Sequence, residues 1–154
     1  MTDQARAKWM LIAIKDLGIH ETPGPAATAR IIEYDSHTTL KATSDEISWC
    51  SSAMCCWIDE SGLVSTHSAA ARDWLKWGVP LDTPREGCIV VLDRHDASNP
   101  NAAHVTLFYK DNGDGTFDGN DTFEGLGGNQ HDMVKISTFS YDKVLGYRWP
   151  TNLL

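Results

Sequence analysis

Apolar positions follow two different periods along this chain. Up to about residue 84 they recur at helical spacing, and beyond it they fall in short β-prone runs. Ala5, Trp9, Ile12, Ala13 and Leu17 lie near one face of a first helix that Thr2 or Asp3 can cap and Gly18 can end. Residues 18–28, GIHETPGPAAT, read as loop because Pro23, Gly24 and Pro25 break regular structure. A short helix suits 29–34, and 36–47 is polar and irregular. In WCSSAMCCWIDESGL, Cys50, Ala53, Met54, Cys56, Trp57 and Ile58 spread over a broad apolar arc, leaving Ser52 and Asp59 as the polar stripe. A helix apolar over so much of its circumference belongs at the centre of a fold, and Gly62 can end it. SAAARDWLKWG predicts a further helix, with Ser68 as N-cap and Gly78 past its end.

After Pro84, the runs 87–94, 104–111, 122–129, 133–140 and 144–150 predict strands, separated by the turn-rich stretches RHDASNPNAA and DNGDGTFDGND. Helices first and consecutive strands afterwards imply an α+β fold with an antiparallel sheet of about five strands. The length of 154 residues suits one domain spanning 1–154, and no repeat or linker divides it.

Charge narrows the partners. Thirteen basic against 21 acidic residues give −8, which argues against nucleic acid or an anionic membrane as the ligand. The apolar stretch 9–14 runs into Lys15 and Asp16 with no cleavage pattern after it, so no signal peptide is expected. No stretch approaches the roughly 20 apolar residues of a membrane span. The expectation is synthesis in the cytoplasm, with delivery by another agent if the protein acts outside. Cys50, Cys55, Cys56 and Cys88 have neither disulfide-framework nor zinc-site spacing, so reduced thiols and no metal are expected.

One of these thiols is placed for chemistry. A nucleophilic cysteine must ionise near neutral pH, whereas a free thiol titrates at about 8.5. Cys50 falls in the first turn of the central helix, where unsatisfied N–H groups favour both a thiolate and an oxyanion. His104 opens a strand and Asn129 ends a later one, so neighbouring antiparallel strands can set them side by side as base and orienting residue.

The motifs WCSSAMCCWIDESGL, AARDWLKWG, P-x-x-GCIVVLDR, HVTLFY, LGGNQ and VLGYRWP follow one another from about Trp9 to Pro150. In order and spacing they resemble a phage and prophage family of small NlpC/P60–CHAP-related hydrolases. The resemblance implies a papain-like fold and a cysteine hydrolase acting on bacterial peptidoglycan, as amidase or endopeptidase. Cys50 then matches the nucleophile, His104 the base and Asn129 the residue that orients it, with Gln130 the fallback for that role. Glu21 in GIHETPG matches a recurrent acidic residue, structural or substrate-facing. Trp49, Glu21 and Gln130 are the candidates for contact with substrate. The resemblance implies no cofactor and a phage endolysin, lysis protein or antibacterial effector. Such a protein would be a monomer, reaching the wall by holin-dependent release or other delivery and in some cases paired with an immunity protein. Four positions depart from the family pattern: Ala103 and Thr106 replace glycines around the histidine, Cys88 replaces an aspartate, and Met54 replaces an aromatic.

Other readings compete for the same residues. Cys50 could be a buried structural thiol, His104 a strand-end surface residue, and Asn129 a turn residue tolerating positive φ. His131 is a second imidazole to consider as base. The stretch 111–121 resembles part of a calcium loop, but Lys110 occupies its first ligand position, which favours a hairpin tip. Besides hydrolysis, the chain could be an inactive wall-binding or phage structural module, or could transfer acyl groups.

Overall fold

The helical and strand-rich parts of the chain pack against each other in the computed structural model, which describes residues 6–21, 29–38, 49–94 and 102–151. The expected cap at Thr2 or Asp3, the breaker Pro23–Pro25 and most of 36–47 lie outside the described residues. Helix α1 (Lys8–Lys15) buries Trp9, Met10 and Ala13, and Gly18 follows its end at φ 95°. The chain then departs from the expected loop. Gly18 N donates to Val134 O (2.9 Å), Val134 N to Ile19 O (2.7 Å) and Glu21 N to Asp132 O (2.9 Å), so 18–21 lies along an edge of the sheet. That edge supplies backbone partners that no local periodicity could reveal.

Helices α2 (Ala29–Ser36) and α1 flank α3 (Cys50–Glu60). Every α3 residue from Cys50 to Ile58 is buried, as its broad apolar arc requires. One carboxylate joins the three helices. Asp16 Oδ2 on the turn after α1 accepts from Tyr34 Oη (2.6 Å), Arg30 Nε (3.0 Å) and Trp57 Nε1 (2.9 Å). With so many donors converging on it, a buried charge is tolerable there.

The helix expected over 68–78 is instead a 3₁₀ turn, Ala71–Lys76. Ala70 and Trp77 on either side are extended, and Ser68 Oγ accepts from Ala70 N (3.0 Å) while donating to Asp73 Oδ2 (2.6 Å). The serine therefore closes a local turn rather than capping an α-helix.

Among the described residues six antiparallel strands follow, in the order β1-β6-β2-β3-β4-β5. They are β1 (Val79–Leu81), β2 (Ile89–Asp93), β3 (Ala103–Asp111), β4 (Thr122–Gln130), β5 (Met133–Ser140) and β6 (Val144–Trp149). Five coincide with the apolar runs. The sixth, β1, has three residues with Pro80 in the middle, tolerable because it pairs on one side only. A two-residue turn joins β4 to β5: Gln130 pairs with Met133, and His131 and Asp132 both have positive φ (52° and 61°), the twist that tight hairpins favour. The acidic stretch after β3 serves a turn, with Asp111 accepting from Gly113 N (3.0 Å) and Tyr141 Oη (2.7 Å) and Asp114 holding Thr116.

Candidate active site

Cys50 is the first residue of α3, following Trp49, which has no side-chain cap of its own. The chain around it is anchored from both sides. Trp49 is fully buried, stacked on Tyr34 with ring centroids 5.9 Å apart, and its Nε1 donates to Glu21 Oε1 (2.7 Å). Ser51 Oγ donates to Ser68 O (2.7 Å) and accepts from Trp74 Nε1 (2.8 Å). These contacts correct the expectation for Trp49, which presents no surface to a substrate because its indole is consumed by packing. Of the two alternatives for Glu21 they support the structural one, as the acceptor that lets the indole N–H be buried.

His104, near the start of β3, acts on the Cys50 thiol through its charge and side chain, and the Val105 backbone acts on the same group. Burial pushes the thiol pKa up, but the His104 charge and hydrogen bond, the Val105 bond and the Arg94 charge outweigh it and bring the thiol down to about 7. The imidazole moves the other way. Burial lowers its pKa, while the Cys50 charge, the Cys50 hydrogen bond and the Gln130 hydrogen bond raise it above the usual histidine value. Opposite shifts in contacting groups favour a thiolate–imidazolium pair. Cys56 and Cys88 behave differently. Burial raises both thiols, Cys88 to about 12, so neither competes as a nucleophile.

The residue behind the imidazole is Gln130, not Asn129. His104 Nε2 lies 3.0 Å from Gln130 Oε1. The orientation of that amide is determined by its other end, because Gln130 Nε2 donates to Gly125 O (3.0 Å) and Lys135 O (2.7 Å). Both amide protons are thus committed to carbonyls, so the atom facing His104 is oxygen and His104 Nε2 must carry the proton. Nδ1 is left for the sulfur. Thr106 Oγ1 adds a second donor to the same oxygen (2.8 Å).

A bulge explains the exchange of neighbours. Leu107 pairs with Leu126, a register that continued regularly would set Asn129 opposite His104. Between Gly127 and Gln130, however, β4 shifts by one residue against β5, and Asn129 takes a left-handed conformation at φ 56°. The extra residue gives Gln130 the side-chain direction that alternation assigns to Asn129. A Cβ on Gly127 would collide with Gln130 Oε1, and one on Gly128 would come within 2.7 Å of Trp49 and 2.8 Å of Ala53 on α3. Asn129 makes the bulge, and Gln130 holds the histidine.

Access is narrower than an open groove. Cys50 retains 4% of its surface, while His104 is half-buried and forms part of the wall of a pocket of about 390 Å³. His131 also borders that pocket, with Nδ1 3.2 Å from Lys135 Nζ; the imidazole that acts on the Cys50 thiol is His104. Among the described residues no group of three or more His, Cys, Asp or Glu side chains is arranged to hold a metal.

No family model matches the sequence, and no curated protein matches it. Among solved structures, the fold is similar to that of a Staphylococcus aureus protein described as similar to lipoprotein, NLP/P60 family, with a TM-score of 0.53 at 16% identity. The alignment covers 97% of this chain and 43% of that one, so the chain spans less than half the length of its structural neighbour. What the two share is the fold: an α+β arrangement with an antiparallel sheet, as in a protein of the NLP/P60 family.

Proposed function

We propose that this protein is a cysteine hydrolase that cleaves an amide bond in the peptide of bacterial peptidoglycan. The observation that carries the reading is the influence of His104, itself held by Gln130, on the Cys50 thiol, which is brought down to about 7. The thiolate attacks the carbonyl carbon of the scissile amide, forming a C–S bond. The carbonyl oxygen becomes an oxyanion beside the first-turn N–H groups of α3, which have no acceptor within the helix. The intermediate collapses, the C–N bond breaks, and His104 gives its proton to the departing amine. Water then loses a proton to His104 and attacks the thioester, releasing the acid and restoring the thiol. Gln130 is a positioning residue throughout. It accepts from Nε2 and keeps Nδ1 directed at the sulfur.

Peptidoglycan as substrate follows from the ordered motif resemblance and is supported by the shared fold. The same resemblance favours a lytic role, as a phage endolysin or a delivered effector acting on the wall. Digestion of purified sacculi tests it. Mass spectrometry of the released muropeptides should show new free amino and carboxyl termini with the native protein and none with Cys50→Ala. Identical products from both proteins would refute the thiol mechanism. The 4% exposure of Cys50 is the observation that favours the alternative, an inactive binding module on the same fold. An inert module would bind sacculi and release nothing.

A further inference from the structure

The pocket that His104 helps to wall is opposite in charge to the rest of the protein. The whole chain carries −8, yet this hollow is bordered by Arg94 and Lys143 against one carboxylate, Asp93, with His131 beside them. Lys135 adds a further positive charge beside His131. Neither Arg94 nor Lys143 has a salt-bridge partner among the described residues. The two cations come from separate elements: Arg94 follows β2 and Lys143 precedes β6. Phe139, whose ring centroid is 5.6 Å from that of His104, adds an apolar wall. A concave site with one sign of charge and a low-dielectric wall concentrates ligands of the other sign.

Its position relative to the imidazole says which half of a substrate would enter. The group that protonates a departing amine must lie beside that amine, so the leaving half of the substrate extends toward His104. The pocket opens on that imidazole, and Cys50 is absent from its walls.

We infer that this pocket is a subsite for the amine-side half of the scissile bond and that it selects a residue bearing a free carboxylate. The inference rests on the hydrolase reading and adds to it the chemistry of the leaving group. Arg94 and Lys143 hold the carboxylate while Phe139 covers the adjoining carbon chain.

The test begins with the amide that native protein opens in purified sacculi. Two synthetic peptides are built on that amide, alike except that the amine-side residue ends in a free carboxylate in one and a carboxamide in the other. Native protein should cut the carboxylate peptide with a kcat/KM at least about tenfold higher, the worth of one charge-assisted contact. Lys143→Gln should bring the ratio toward one, and Lys143→Glu should invert it. Lys143 does not figure among the causes of the Cys50 shift, so its replacement leaves thiol alkylation as an internal check on the catalytic pair. Equal rates on both peptides with native protein, or a preference that survives both substitutions, would overturn the subsite while leaving the hydrolase reading intact. Sacculi that yield no new termini would overturn both.

Discussion

At position 130 a glutamine amide settles which ring nitrogen of a histidine on the neighbouring strand carries the proton. Its nitrogen is held by two carbonyls, so its oxygen must accept from His104 Nε2. Gln130→Ala should therefore lower kcat/KM by about 10- to 100-fold, the range for losing one hydrogen bond to a charged group. The same change should move the alkaline limb of the pH profile to lower pH. The sign follows from the linkage: Gln130 raises the His104 pKa, so removing it lets the imidazolium lose its proton earlier. Asn129→Ala should leave that limb in place, because the acceptor at Nε2 is Gln130 Oε1. If Asn129→Ala moves the limb and Gln130→Ala does not, the orienting role belongs to the asparagine.

Among the elements, α3 and the last turn of β4 are the parts that must fit each other closely. Gly128 lies against Trp49 and Ala53, and a side chain there would come within 2.8 Å of both. Both neighbours are fully buried, and Trp49 is tied to Glu21 and stacked on Tyr34. Gly128→Ala should consequently cost about 1–3 kcal/mol, the usual penalty of overpacking a core. Denaturant unfolding would measure it, and an unchanged midpoint would mean that α3 is free to retreat. This junction also marks where sequence reading succeeds and fails. Helical spacing around Cys50 and the β-prone runs near 89, 103, 122, 133 and 144 place the main elements, because both signals are local. The bulge at Asn129 is decided by tertiary fit, and it turns a correct strand into the wrong neighbour for His104. The docking of 18–21 on β5 and the burial of Trp49 are likewise consequences of distant partners. The helix expected over SAAARDWLKWG is a 3₁₀ turn, because over six residues the apolar pattern does not distinguish a 3₁₀ turn from an α-helix.

Across the molecule, the site exists because segments far apart in sequence converge on one end of α3. Residue 21 buttresses Trp49, residues 51, 68 and 74 tie down the first turn, β3 brings His104 and β4 brings Gln130. Alkylation of Cys50 reports on that convergence directly. Reaction with iodoacetamide, followed residue by residue by mass spectrometry across pH, needs no substrate and covers all four thiols. Cys50 should label ahead of Cys56 and Cys88, with a rate that is half-maximal near pH 7. In His104→Ala the midpoint should rise toward or beyond the free-thiol value of about 8.5, because burial then acts without the opposing imidazolium. A native Cys50 that stays unlabelled below pH 8, or whose profile is the same with and without His104, would contradict the account.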